Sequence, residues 1–220
     1  MVKPRVPMKY GTFGENETKN YDIFMRKLRE KGWLTPQKYI DFGISSGIVL
    51  EIGHGPGYTG LEWLKHTRDT KLAALDVSSE MIEIAKKNVK EYPGLEKRVK
   101  YLNCRADKME IEDNSIDGVF CNGEIHEWPD PVAVFNEINR VLKPGGKYYL
   151  SAHRRDTSGT TVFLQKILMR GLPKECWEEH DVIIDAAYTY DELEEILKKS
   201  NLKNWQLTQS KVGMKIIGQK

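Results

Sequence analysis

The sequence predicts an α/β fold: a doubly wound, mostly parallel sheet with helices on both faces, in a single domain. Three observations carry this expectation. The run Ile48 to Leu50, with Ile52, is short, apolar and closed by a glycine, as in a strand buried on both faces. Gly53, Gly55 and Gly57 follow at once and lead into a helical pattern beginning near Tyr58. Further short apolar runs then alternate with segments of helical period, the order that builds a parallel sheet. At 220 residues the chain suffices for one sizeable core and is short for two.

Residues 1–19 are polar, carry Pro4, Pro7, Gly11 and Gly14, and read as an arm without regular structure. Tyr21, Phe24, Met25 and Leu28 recur at helical spacing and predict an amphipathic helix. A short helix follows over 36–42, where Pro36 suits a first turn. Beyond the glycine loop, Leu61 and Leu64 mark the inner face of the first core helix, and 71–75 form a strand ended by Asp76. Ser78 or Ser79 can cap the next helix, whose Met81, Ile82, Ala85 and Val89 face the sheet. Strands over 99–103 and 115–121 come next. Asp130-Pro131 starts a helix with Val132, Phe135, Ile138 and Leu142 on one face, and Pro144-Gly145-Gly146 turns the chain into a strand over 147–152. Residues 153–188 depart from a minimal fold, with one helix expected around Phe163, Leu164, Ile167 and Leu168. A helix over 191–200 and strands near 204–210 and 213–219 complete the chain, with Gly213 at the tight connection of an antiparallel hairpin.

The glycine loop departs from the dinucleotide fingerprint, because its third glycine is displaced. Leu50-Glu51-Ile-Gly53-His-Gly55-Pro-Gly57 instead resembles the first motif of class I S-adenosylmethionine-dependent methyltransferases. Asp76, Cys104-Arg-Ala-Asp107, Asn114-Ser-Ile-Asp117-Gly-Val-Phe120 and Val141-Leu-Lys-Pro-Gly-Gly146 supply the family's later pieces in order. The resemblance is close over 48–152 and loose in the last third, and it is nearest to small-molecule methyltransferases of the ubiquinone/menaquinone C-methyltransferase kind. It implies a Rossmann-like sheet of seven strands closed by the antiparallel hairpin. It divides the chain into an arm with cap helices (1–45), a cofactor core (46–152), a substrate-side insertion (153–188) and a C-terminal helix and hairpin (189–220).

The resemblance also implies S-adenosyl-L-methionine as donor and S-adenosyl-L-homocysteine as product. It assigns cofactor binding to Glu51, Gly53, His54, Gly55, Gly57, Asp76, Val77, Met81, Ala106, Asp107, Lys108, Asn122, Gly123 and Ile125. An acid about twenty residues beyond such a loop can accept hydrogen bonds from ribose hydroxyls, which suits Asp76. Asp107 is assigned to the adenine amine, or it serves as a turn residue. Ligands bind outside the carboxyl ends of the strands in doubly wound sheets, so chemistry is expected in Asn122-Gly-Glu-Ile-His-Glu-Trp128. His126 is a candidate general base or a shaper of the cleft, with Glu124 and His153 as further candidates for the base. Glu124 orients a cationic group or is solvated. Tyr10, Phe13 and Tyr21 form a lid or simply pack. Arg154-Arg155 meets an anionic acceptor or is solvated.

Composition narrows the alternatives. Lys and Arg number 34 against 32 acids, a net charge of +2, without the broad basic field of many nucleic-acid binders. No apolar run reaches the roughly eighteen residues that span a bilayer, and the N-terminus lacks a signal-peptide core, so a cytoplasmic protein is expected. Cys104, Cys121 and Cys176 lie far apart and read as buried thiols, and no metal site is expected; His54 has no partner at ligand spacing. An RNA or protein methyltransferase, a nicotinamide reductase and a non-catalytic assembly protein are the rivals to a small-molecule enzyme. A monomer or a homodimer is expected, the 161–169 helix being either a lid or a dimer contact.

Overall fold

The computed structural model describes residues 3–8, 15–168 and 175–220. Seven strands form one sheet: β1 (Gly47–Ile52), β2 (Thr70–Asp76), β3 (Val99–Asn103), β4 (Ile116–Asn122), β5 (Leu142–Ala152), β6 (Gln206–Gln209) and β7 (Met214–Gln219). Their order across the sheet is β3-β2-β1-β4-β5-β7-β6. The first five are mutually parallel, and β7 runs antiparallel to both β5 and β6. Alternate residues of the central strands feed opposite layers, since successive side chains of a strand point to opposite faces. Leu50, Ile52, Leu75, Val119 and Cys121 enter one core, while Val49, Leu72, Ala74 and Phe120 enter the other. Both faces are thereby buried, which explains why β1 reads as a continuous apolar run.

Eight α-helices surround the sheet among the described residues: α1 (Glu15–Glu30), α2 (Gln37–Asp41), α3 (Tyr58–Lys65), α4 (Ser79–Asn88), α5 (Pro131–Val141), α6 (Gly159–Leu168), α7 (Glu175–Ala186) and α8 (Tyr190–Lys199). Ser78 caps α4 by accepting from the Met81 amide, and Asp130 caps α5 with Pro131 in its first turn. Thr189 and Glu192 form a reciprocal capping box at α8. Met25 of α1 joins Tyr58 and Leu61 of α3 in a third apolar cluster, with Tyr21, Phe24 and Leu28 against it. The predicted apolar stripe of α1 therefore lies over the helix that follows the glycine loop. Among the described residues no helix is long and apolar enough to cross a membrane.

Four differences from the sequence reading have local causes. α1 begins at Glu15 rather than near residue 20, because its first turn and a half is polar and carries no apolar period. β5 begins at Leu142, but its register against β4 jumps from Ile116–Leu142 to Gly118–Lys147, so Pro144-Gly145-Gly146 bulges out within the strand. The chain end holds this bulge, as the Gly145 amide donates to the Lys220 carbonyl at 2.8 Å and the Lys220 amide donates to the Gly146 carbonyl at 2.9 Å. A second helix, α7, occupies the second half of 153–188, and β6 has four residues rather than seven. Cys121 is buried and Cys104 half-buried; Cys176, Tyr10 and Phe13 lie outside the residues whose side chains are described.

Candidate active site

The glycine loop bends the chain from β1 into α3 through three residues with positive φ: Gly53 at 67°, Gly55 at 51° and Gly57 at 89°. Side chains rarely adopt such values, so glycine supplies the turn without strain. At Gly53 there is a second requirement. A Cβ there would lie 1.6 Å from Oε2 of Glu124, which reaches across from the segment after β4. The amides of Gly53 and His54 donate to the Leu75 carbonyl at 2.9 and 3.2 Å, tying the loop to the end of β2.

Asp76 stands at that end. Its Oδ2 accepts from the Gly55 amide at 2.8 Å and its Oδ1 from the Ser78 amide at 2.9 Å. A carboxylate has about four lone-pair sites, so two acceptor positions remain beyond these bonds. Asp76 is buried at 9% exposure, yet it lines a cleft together with Gly53, Gly55, Val77, Ser78 and Met81. The opposite wall comes from Asn122, Gly123, Glu124, His126, Glu127 and His153. Met8, Tyr21 and Ile183 complete the lining, so the N-terminal arm, α1 and α7 all reach the cleft.

Glu124 precedes a single turn of 3-10 helix, Ile125–Glu127, that carries His126. Its Oε2 is buried without a hydrogen-bond partner. Burial first, then the charges of Glu127 and Asp76, raise the Glu124 pKa well above the usual carboxylate range. His126 is 4% exposed and neither ring nitrogen has a hydrogen-bond partner, although Nε2 lies 3.7 Å from Oε1 of Glu127. Burial, with His153 and Arg5 adding to it, pushes its pKa down to about 3. His153 packs edge-on to it with ring centroids 5.6 Å apart and is lowered to about 4 by burial and then by His180. Two neutral imidazoles and a protonated or cation-seeking carboxyl therefore face one space.

Several residues expected at the cofactor lie behind this wall. Glu51 is 2% exposed and turned toward α3, where a Cβ on Gly60 would meet its Oε2 at 2.1 Å. Burial and then Asp76 raise its pKa well above the usual range. The His54 ring packs against Tyr101 with centroids 5.4 Å apart, and Gly57 sits against Ala85 at the start of α3. Ile125 and Ala106 belong to the apolar core below the site. Asp107 pairs with Arg105 through two hydrogen bonds of 2.8 and 2.5 Å, and Lys108 is exposed. Gly53, Gly55, Asp76, Val77, Met81, Asn122 and Gly123 are the expected cofactor residues that line the cleft, with Glu124 and His126 beside them.

The expectation for Arg154-Arg155 requires correction. Arg155 is 8% exposed and donates to the carbonyls of Lys3 at 2.8 Å and Ala187 at 2.5 Å and to the carboxylate of Glu192. Arg154 binds Asp156 at 2.8 and 2.7 Å and the Ser210 carbonyl at 2.6 Å. Both guanidinium groups are engaged in structural bonds, Arg155 buried and Arg154 part-exposed, and neither lines the cleft. Arg5 acts in the same fastening: it donates to the Ala186 carbonyl at 2.6 Å and the His126 carbonyl at 2.8 Å and lies over the Tyr188 ring. Sequence reasoning missed Met8, Ser78 and Ile183 as lining residues, and placed Glu127 only within the segment after β4. Only Ser78 carried a signal, through its position just after β2.

The residues present suit a nucleoside that also carries positive charge. Asp76 has acceptor sites for hydroxyls, Val77 and Met81 give apolar contact, and Asp76, Glu124 and Glu127 make the lining acidic. Oε2 of Glu124, buried without a hydrogen-bond partner, suits a cationic group.

Comparison with known proteins agrees with this geometry. Residues 49–146 match a family described as a methyltransferase domain. The chain is 30% identical over 119 residues to the uncharacterized methyltransferase YdaC of Bacillus subtilis, covering 54% of this chain and 63% of that protein. It is 27% identical to demethylmenaquinone methyltransferase of Lactococcus lactis, covering 72% of this chain and 64% of that one. It thus spans less than two thirds of the length of these relatives. A solved structure from Methanococcus maripaludis, assigned as an S-adenosyl-L-methionine-dependent methyltransferase, superposes with a TM-score of 0.74 at 24% identity over 98% of this chain and 97% of the other. At that identity the likeness shows a shared fold.

Proposed function

We propose that this chain, which carries a Rossmann-like class I S-adenosylmethionine-dependent methyltransferase domain, transfers the methyl group to a small-molecule acceptor by in-line displacement. The observation that carries the reading is Asp76, held by the Gly55 and Ser78 amides at the end of β2 with acceptor sites directed to an acidic cleft. When bound, S-adenosyl-L-methionine supplies a methyl group already activated by its sulfonium. The protein's part is then to orient and to exclude water.

Asp76 accepts from the ribose hydroxyls, and Val77 and Met81 give the nucleoside apolar contact. Glu124 and Glu127 stabilise positive charge on the donor, while Met8, Tyr21 and Ile183 restrict the entry of water. His126 and His153 stay unprotonated at neutral pH, so either can take a proton from an acceptor that must lose one. Gly53, Gly55, Asn122 and Gly123 contribute backbone and edge contacts. Residues 1–220 act as one domain in this reading, with arm and insertion serving as cover.

The small-molecule assignment rests on three supports: a narrow cleft lined from both sides, a net charge of +2, and relatives that include demethylmenaquinone methyltransferase. Calorimetric titration with S-adenosyl-L-methionine and S-adenosyl-L-homocysteine, with NADH as control, tests the donor. Micromolar binding of the first two and none of the third is expected, and NADH binding instead would overturn the reading. Transfer of labelled methyl to a small-molecule panel, against RNA and protein controls, tests the acceptor class.

A further inference from the structure

A second cavity, of about 690 Å³, adjoins the cleft on the face of the sheet that carries α2. It lies at the carboxyl ends of β4 and β5, and its walls include Lys38, Tyr149, Ser151, Thr208 and Lys215. Ser151 pairs with Lys215, and Thr208 pairs with Lys215 from the other side, so the three stand on one face of neighbouring strands. The two cavities share Asn122, Gly123 and His153. Their charges are opposite. The carboxylates of Asp76 and Glu127 line the first, beside the protonated Glu124, whereas among the described residues no acid lines the second, which holds two lysines.

Lys38 is the unusual member. Its ammonium lies 4.8 Å from the Tyr39 ring centroid and 5.7 Å from that of Tyr149. It donates to the Asn122 side-chain oxygen at 3.1 Å and to the Ser151 hydroxyl at 3.3 Å, and it pairs with no described carboxylate. An ammonium has three donors, and both partners here are neutral. Burial pushes its pKa down to about 8, the mark of a cation without a counter-charge. Asn122 also accepts from the Tyr39 hydroxyl at 3.2 Å, which holds its amide toward the lysine. At the junction of the cavities Gly123 has a φ of 94°, and a Cβ there would stand 3.0 Å from Nε2 of His153. Any larger residue would narrow the passage.

We propose that the second cavity is the acceptor subsite for an anionic group, a carboxylate or a phosphate, bound by Lys38 with Lys215 at its rim. The acceptor's nucleophilic atom then reaches the cofactor cleft past Gly123 and His153. Lys38 takes the role that the sequence offered to Arg154-Arg155. The methyl-transfer reading enters only in naming the ligand an acceptor; the anion site stands on the lysine and the cavity.

The test titrates the full chain with inorganic phosphate and, separately, with acetate, with and without saturating S-adenosyl-L-homocysteine. Saturable binding of at least one anion in the millimolar range is expected. Lys38→Met should weaken it at least tenfold and Lys38→Arg by less than threefold, while affinity for S-adenosyl-L-homocysteine stays within threefold. Preference for acetate assigns a carboxylate, and preference for phosphate assigns a phosphate. Equal anion binding by the wild type and Lys38→Met, or no saturable binding of either anion, overturns the proposal. A check that needs no variant is the titration of the Lys38 ε-carbon by NMR: the anion must raise its midpoint from about 8, and an unmoved midpoint also overturns it. Lys38-dependent anion binding without any affinity for S-adenosyl-L-homocysteine would leave the anion site standing and reject the methyltransferase reading.

Discussion

Replacing Glu124 by glutamine should stabilise the ligand-free protein at neutral pH. The carboxyl is pressed against Gly53, its Oε2 has no partner, and burial followed by Glu127 and Asp76 raises its pKa well above 4.5. In the unfolded chain the group titrates near 4.5. As pH rises past that value the unfolded state loses its proton and the folded state keeps it, so folding weakens by about 1.36 kcal/mol per pH unit up to the folded pKa. From 4.5 to 7 is about 2.5 units, which caps the penalty at pH 7 near 3.4 kcal/mol. Glutamine keeps the shape and does not titrate. Glu124→Gln should therefore gain about 1–3 kcal/mol at pH 7, and the gain should vanish below pH 4.5. Urea denaturation at several pH values between 4 and 8 measures it. A cationic donor should also drive Glu124 to ionise, releasing a proton that calorimetry in buffers of different ionisation enthalpy detects and that Glu124→Gln abolishes. A variant less stable than the wild type at pH 7, or a difference that does not change with pH, would refute the reasoning.

Asp76→Ala should weaken S-adenosyl-L-methionine binding by about 1.5–3 kcal/mol, because it removes charge-assisted acceptors at the hydroxyls; unchanged affinity in a calorimetric titration would reject the assignment. Arg155→Met should cost about 1–3 kcal/mol, mainly by leaving the Lys3 and Ala187 carbonyls without their donor, since Glu192 is part-exposed and still accepts from Thr189. Limited proteolysis should then cut the N-terminal arm sooner, and an unchanged cleavage rate would sink the fastening role. His126 and His153 titrate near 3 and 4 when folded and near 6.5 when unfolded, so the unfolded state binds the extra protons between those values. Their contribution is complete above pH 6.5 and is lost as pH falls, by about 1.4 kcal/mol per unit for each ring between pH 4 and 6. The stability difference between the wild type and His126→Asn should follow that slope, and a kcat inflection near 6.5 removed by this substitution would contradict a depressed value.

What the sequence determined by itself was everything that acts over a few residues. Gly53, Gly55 and Gly57 specify their turn through backbone sterics. Ser78 and Asp130 mark helix starts because a cap bonds an amide three residues on. Asp76 is legible because the strand period and the glycine loop together place it at the cleft. Where local signal was weak, the reading stopped: the polar first turn of α1 and the helix α7 carry little apolar period. Only the tertiary structure decided which long side chains were already engaged. Arg155 meets Lys3 and Ala187, Lys38 meets Asn122 and Ser151, and Glu51 turns under α3 instead of into the cleft. A hydrogen bond or a burial cost depends on the atoms within a few ångströms, and for these groups those atoms come from distant parts of the chain.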